Sequence, residues 1–292
     1  KNLNVFGHRN HRSAPQWRRP QGAKLIPHLQ TAHLDTASTA AQASDAFATA
    51  AASSSETVVI GWASTVEEVH EVQRLRYQVF SDELGVNLQG HDGLDEDQFD
   101  ACAKHLFVRD VKSGQVVGTY RVLPRECTRD IGFYSAQEFD ITAFASHQDK
   151  VLEVGRACVH KDHRNGGVLM ALWKAVLQYT MTHGYEMILG CTSVPIAANA
   201  PSIADIEVML QNSGAMSEEF KVTPRNPFDN SIQPAVDADV RMVLPPLFKG
   251  YLRLGAQVCG APTYDPDFHT ADFLTVLKLS HVSPRYAKHF NL

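Results

Sequence analysis

The chain has 292 residues, 44% of them hydrophobic and 20% charged, a balance that suits a soluble globular protein with ample length for a core. Twenty-seven Lys and Arg against 32 Asp and Glu give a formal net charge of −5, which excludes a general nucleic-acid binder, because phosphate contacts need a basic surface. No apolar run approaches the ~18–20 residues that a membrane span requires. Residues 1–55 differ in texture from the rest: the first part is rich in Arg, His, Asn and Pro, and 36–55 is almost entirely Ala, Ser and Thr. Such a segment buries too little apolar surface to offset its chain entropy, so a disordered extension is expected. An Arg-rich, acid-poor transit peptide over 1–35 is the alternative, and the chain opens on Lys1 rather than Met, as expected of a sequence that lacks its natural start.

From Thr57 the periodic signals begin. Residues 58–62 predict a short strand, and Ser64 with Glu67 makes a capping box that opens a helix running to about Phe80. Val69, Val72, Leu75 and Val79 line one face of it at helical spacing. The polar, acidic stretch 85–103 predicts a loop, and 105–110 with 115–123 a hairpin across Ser113-Gly114. A short helical segment near 136–139 precedes a strand over 151–160. A helix over 168–183 follows, with Leu169, Leu172, Trp173 and Val176 apolar and Gly184 as its stop. Residues 187–191 predict a buried strand, 203–212 and 246–254 two helices, and 273–279 a last strand. No internal repeat is present, and the outcome is a mixed α/β domain over 56–292.

The stretch 152–173, LEVGRACVHKDHRNGGVLMALW, carries the chemistry. It reads as a strand with Glu153 and Arg156, a basic Gly-Gly loop, then a helix. That order sets a carboxylate, a guanidinium and a helix N-terminus with free N–H donors around one cleft suited to acyl transfer from a large anionic carrier. Glu153 is the candidate general base that frees an amine for attack; the plainer reading is a buried carboxylate paired with an arginine. In a regular strand Glu153 and Arg156 point to opposite faces, so either a bulge reorients one of them or they serve separate tasks. Backbone N–H groups near Ala157–Val159 become oxyanion donors if the strand splays from its neighbour. Gly166, Gly167 and the helix start suit a carrier's phosphate, with Lys161, His163 and Arg164 adding charge unless they are merely a solvated loop. The five cysteines (Cys102, Cys127, Cys158, Cys191 and Cys259) show neither CxxC nor zinc-like spacing and read as small buried apolar residues of a reduced, cytoplasmic protein.

The order and spacing of several pieces resemble the GNAT superfamily, and closely resemble its branch of bacterial ornithine Nα-acyltransferases, sometimes called hemolysin-like. The pieces are LRYQVFSDELG at 75–85, DQFDACAKHLFVRD at 97–110, GTYRVLP at 118–124 and YSAQEFDI at 134–141. LEVGRACVH at 152–160, ALWKAVLQY at 171–179, GCTS at 190–193 and the tail at 244–268 continue the likeness. A more distant likeness, to acyl-homoserine-lactone synthases, rests on Arg76 and Phe80, Asp97 and Asp100, Arg121, and Glu153 with Arg156. The fold implied is a mostly antiparallel central sheet flanked by helices, a single domain behind a disordered tail.

The activity implied is acyl-carrier-dependent N-acylation: a fatty, 3-hydroxylated acyl chain moves from acyl carrier protein to the α-amine of ornithine, giving lyso-ornithine lipid. Glu153 and Arg156 are then the catalytic candidates. Arg76, Asp97, Asp100, His105 and Arg121 are the substrate-binding set, an aspartate for the δ-ammonium and Arg76, Arg121 or Arg156 for the α-carboxylate. Val159, Arg164, Gly166 and Gly167 would receive the phosphopantetheine. Leu169 stands where CoA-using relatives keep a small residue, which favours acyl carrier protein over CoA. No bound cofactor or metal is expected, only the acyl-carrier thioester as co-substrate, in a cytoplasmic protein in transient contact with the inner membrane. The alternatives are another acceptor (glycine, another amino acid or a homoserine-lactone precursor) and a non-catalytic acyl-binding or membrane-active protein. His105 and Asp110 match the H-x4-D pattern of glycerolipid O-acyltransferases, but on a strand they face opposite sides, so the match is read as chance.

Overall fold

Strands and helices follow one another largely as the sequence predicts, in a computed structural model that describes residues 58–86, 88, 92–237 and 239–290. The extension expected over 1–55 lies outside the described residues. Strand β1 (Val58–Trp62) leads to helix α1 (Val66–Tyr77), whose last turn widens into a π-helical segment, Gln78–Glu83. The hairpin β2 (Lys104–Asp110) and β3 (Val116–Leu123) follows. Next come α2 (Arg125–Ile131), a 3₁₀ turn at Tyr134–Gln137, β4 (Phe139–Asp140) and β5 (Val151–Val159). The second half holds α3 (Gly167–Thr182), β6 (Met187–Pro195), α4 (Ile203–Asn212), β7 (Thr223–Pro224) and α5 (Pro246–Leu254). It closes with β8 (Gln257–Val258), β9 (Thr263–Asp265), β10 (Thr270–Lys278) and α6 (Pro284–Phe290).

Three departures have local causes. The capping box at the start of α1 uses Thr65 and Glu68 rather than Ser64 and Glu67; Ser64 joins it by donating to Glu68 through both its N–H and its hydroxyl. Helix α2 is short and polar, too brief to show an apolar period. Strand β6 runs to Pro195 because β10 pairs with it along its whole length, from Met187↔Lys278 to Pro195↔Thr270.

The main sheet runs β1-β2-β3-β5-β6-β10-β8, with β9 also on β10, and every pairing is antiparallel except β5 with β6. Alternation along the strands feeds two cores. Leu152, Val154, Ile188 and Leu277 point to one face, where α3, α5 and α6 add Leu172, Trp173, Leu254 and Phe290. Val151, Met187, Leu189, Leu274 and Val276 point to the other, covered by Phe139, Phe144 and Phe220. Helix α1 closes a smaller cluster with Leu75, Val79 and Cys158.

Cys102 and Cys127 are joined as a disulfide with their Cα atoms 5.3 Å apart, which corrects the expectation of five free thiols. The turn after the acidic loop and helix α2 bring the two together, and no sequence spacing announces such a pairing. Cys158, Cys191 and Cys259 are free. Among the described residues no helix is long and apolar enough to cross a membrane.

Candidate active site

The site begins where two central strands part. β5 and β6 pair in parallel only at Val151↔Met187, Leu152↔Ile188 and Glu153↔Leu189, although β5 continues to Val159 and β6 to Pro195. Beyond Glu153 the two strands offer each other no ladder partner, so N–H groups on that edge of β5 face an opening. At the point of divergence Gly190 touches β5 so closely that a Cβ there would lie 2.5 Å from the Val154 carbonyl oxygen.

The same strand carries a bulge. Its register against β3 shifts between Thr119 and Arg121, and Arg156 adopts φ 49, a left-handed backbone that side chains other than glycine rarely take. The bulge brings Arg156 to the side of Glu153. Tyr134 spans the two, its backbone N–H donating to Glu153 Oε2 at 2.6 Å while its hydroxyl lies 3.3 Å from Arg156 Nη1.

Glu153 is 2% exposed, and its other oxygen accepts the Ser135 N–H at 2.8 Å. Burial pushes its carboxyl up, while these N–H donors and Arg121 pull the other way. Placed so, Glu153 holds the start of the 3₁₀ turn that delivers Glu138, and both its oxygens are occupied.

The substrate-binding set predicted from the sequence comes together as an ion network. Arg76 Nε is 2.7 Å from Asp95, its Nη2 also reaches the Asp95 carbonyl, and it bonds Asp100 at 2.7 Å. Arg121 bonds Asp97 at 2.6 Å and Asp100 at 3.1 Å. Burial would raise the Asp100 carboxyl, but Arg76 and Arg121 outweigh it and hold it at about 2. His105 Nε2 lies 3.3 Å from the Asp100 carbonyl, and burial keeps this histidine's pKa low despite Asp100. Arg76 and Arg121 are thus sealed within the fold and Asp100 is fully paired, so the network braces the acidic loop against β3 and α1. Asp100, Arg76 and Arg121, expected as substrate contacts, are turned toward one another in this arrangement. Arg156 is the most exposed arginine of the network: its guanidinium lies 3.3 Å from Asp95 and 3.4 Å from Asp97, with its side chain 14% exposed.

A second carboxylate group, missed by the sequence reading, stands beside Arg156. Glu138, Asp265 and Asp272 each present an oxygen within 4.8 Å of the others. They come from the end of the 3₁₀ turn, from β9 and from β10, where Asp272 pairs with Ser193 of β6. Burial, then Asp272 and Asp265, raise Glu138 to about 8; burial, then Asp265, raise Asp272 to about 6, against the Thr270 hydroxyl. Arg156 draws both down. Glu138 Oε2 is buried with no hydrogen-bond partner. An all-oxygen set short of countercharge suits a hard metal ion or an ammonium group. The one sequence clue was Asp272, a carboxylate inside the apolar strand TADFLTVLK.

The loop after β5 is less open than expected. Arg164 donates to the Val159 carbonyl at 3.0 Å and pairs with Glu83 at 2.7 Å, and Gln78 meets His160 at 3.3 Å, so the end of α1 fastens this loop. Gly166, at φ 90, turns the chain into α3, and Asn165 already accepts the Gly167 N–H. The Val168 and Leu169 N–H groups remain as the helix-terminal donors. The Leu169 side chain packs against the core beneath α3.

Residues 75–174 match the acetyltransferase (GNAT) domain family. The chain is 33% identical over 239 residues to the L-ornithine N(alpha)-acyltransferase of Agrobacterium fabrum, covering 76% of this chain and 81% of that protein. It is 32% identical over 244 residues to the L-ornithine N(alpha)-acyltransferase of Rhizobium meliloti, covering 78% and 82%. The structure of a CoA-dependent acyl-homoserine lactone synthase has a TM-score of 0.48 at 13% identity, covering 80% of this chain and 88% of the other. The matched 75–174 hold the arginine–aspartate network, Glu138, the bulge and the start of α3, whereas Asp265 and Asp272 lie beyond them.

Proposed function

The chain belongs to the L-ornithine Nα-acyltransferase family, and from that premise we propose that it moves a (3-hydroxy)fatty acyl chain from acyl carrier protein to the α-amine of ornithine, giving lyso-ornithine lipid. The observation that carries the reading is the opening between β5 and β6, with Arg156 and the Glu138–Asp265–Asp272 group beside it. An acyl thioester lies in the opening, its carbonyl facing N–H groups of Ala157–Val159, which stabilise the oxyanion as charge develops. Arg156 takes the α-carboxylate of the acceptor through charge-assisted hydrogen bonds. Asp265 and Asp272 take the δ-ammonium, the task first expected of Asp97 or Asp100.

Attack needs a neutral α-amine, and Glu138 accepts its proton. A carboxyl raised to about 8 is well matched to that exchange near neutral pH. The neutral amine forms the N–C bond, the C–S bond breaks, and Glu138 returns the first proton to the departing thiolate while the nitrogen gives up its second proton to solvent, leaving the neutral amide and thiol. Glu153 positions the turn that carries Glu138, so the base expected at 153 passes in this reading to 138. The phosphopantetheine runs toward Val159, Gly166, Gly167 and the first turn of α3, with Arg164 shaping the loop. Leu169 in place of a small residue supports acyl carrier protein rather than CoA as donor. The amphiphilic product calls for transient contact with the inner membrane face of a cytoplasmic enzyme.

Thiol release from acyl-acyl carrier protein, followed with and without amino acids, tests the reading. Release that depends on ornithine, with acyl-ornithine seen by mass spectrometry, is the expected result. Release without acyl-ornithine would overturn the acceptor, and no amine-dependent release with any amino acid would overturn the enzyme.

A further inference from the structure

Helices α3, α5 and α6 share one core on one face of the sheet, and their charges are all of one sign. Trp173 of α3 packs on Tyr251 of α5 with ring centroids 5.6 Å apart, and the Ser283 N–H before α6 donates to the Leu254 carbonyl of α5 at 3.2 Å. These helices carry Lys174, Lys249, Arg253, Arg285 and Lys288 and not one Asp or Glu, in a chain whose net charge is −5. The bias extends to their connections, since 241–262 and 273–292 also lack any acid. Lys174, Lys249, Arg285 and Lys288 make no ion pair among the described residues, whereas Arg76, Arg109, Arg121, Arg129, Arg156 and Arg164 are all paired with carboxylates. The same layer also exposes apolar side chains: Met242 and Val243, 43% and 38% exposed on the segment leading into α5, and Met181 on α3.

We infer that this helical layer docks on an anionic lipid bilayer. A layer whose three helices carry cations and no acid of their own attracts acidic headgroups at long range, and Met242 with Val243 supplies an apolar contact. A nucleic acid would not reward the apolar part. The bilayer is favoured over an acidic protein because α3 and the segment leading into α5 expose methionines and a valine as well as presenting cations. The inference locates the membrane contact in the proposed function but stands on charge and exposure alone, so the two fail separately.

The test is co-sedimentation of the full chain with phosphatidylcholine vesicles, with and without about one-third phosphatidylglycerol. Expected is binding to the anionic vesicles alone, lost on raising salt from about 0.1 M to about 1 M. Each cation near an anionic surface contributes roughly a fivefold gain in partitioning, so Arg285→Glu with Lys288→Glu should lower it by more than about tenfold. Lys174→Glu, a single reversal on α3 of the same layer, should lower it several-fold. Both variants should leave thiol release from soluble acyl-acyl carrier protein unchanged in the absence of vesicles. Equal binding to both vesicle types, or undiminished binding by the folded double variant, would overturn the inference. So would a raised KM for the acyl carrier with vesicle binding intact, which would reassign the face to the acidic carrier.

Discussion

Glu153 accepts the backbone N–H of Tyr134 at 2.6 Å, and through that bond a residue of β5 fixes the turn that carries Glu138. A general base must reach its substrate, yet Glu153 is 2% exposed and its second oxygen is turned to the Ser135 N–H. Glu153→Gln turns one acceptor into an NH₂ group facing a backbone N–H, leaving a buried donor unpaired at a cost of roughly 1–3 kcal/mol. Expected is a fall in Tm of several degrees with loss of activity, and raising the pH should not rescue it. A variant of unchanged Tm whose rate alone falls by 10²–10⁴ would return the base to position 153.

Glu138→Gln should do the opposite, leaving Tm nearly unchanged while turnover falls by about 10²–10⁴. Because burial and then the neighbouring carboxylates raise Glu138 to about 8, kcat/KM should climb with pH to a limb near that value. Bound ornithine brings its δ-ammonium to the cluster and stabilises the ionised form of Glu138, so the kcat limb should lie lower. Asp272→Asn removes one of the charges that raise Glu138, and its kcat/KM limb should also move down. A pH–rate curve for Glu138→Gln that keeps the wild-type limb would exclude this base.

How much of this arrangement was legible in the sequence depends on the distance between cooperating residues. Glu153 and Arg156 are three apart, so period-two alternation alone posed the question of a bulge, and the shift opposite Thr119 and Arg121 with the φ of Arg156 answers it. Arg76, Asp97, Asp100 and Arg121 were marked as a group, but whether their charges face outward to a ligand or inward to one another is decided by packing. Glu138, Asp265 and Asp272 escaped because more than a hundred residues separate the first from the other two, with no spacing rule joining them. Only the pairing of β10 with both β6 and β9 brings two of them together at the opening. Cys102 and Cys127, only 25 residues apart, were hidden because no spacing rule joins them either.

The arginine–aspartate network should appear in acid unfolding. Asp100 titrates at about 2 in the fold against an ordinary 3.8, so its stabilisation is fully present above pH 3.8 and is lost as pH falls toward 2. The contribution is on the order of 2 kcal/mol. His105, its pKa lowered by burial, acts in the same direction: as pH falls below 6.5 the unfolded chain takes a proton that the folded one refuses. Asp100→Asn should remove the lower step and destabilise at neutral pH by about 3–5 kcal/mol, because buried Arg76 keeps its charge with one partner fewer. Urea unfolding from pH 7 to pH 3 would show both effects, and a wild-type pH profile in the variant would count against the pairing.

Acceptor choice tests the acidic group most directly. Norvaline has the carbon chain of ornithine without the δ-amine, so it keeps the α-carboxylate contact to Arg156 and forfeits the ammonium contact to Asp265 and Asp272. One charge-assisted hydrogen bond contributes roughly 1.5–3 kcal/mol, which predicts about a 10–100-fold preference in kcat/KM for ornithine. Asp265→Asn should erode that preference by raising KM for ornithine; because its charge also raises Glu138, the comparison belongs above the pH limb, where norvaline should be nearly unaffected. Arg156→Lys should weaken both amino acids alike, as a guanidinium that binds a carboxylate through two N–H groups is replaced by a single point charge. If Asp265→Asn lowers both acceptors equally, the cluster serves the fold or the proton transfer and the δ-ammonium binds elsewhere.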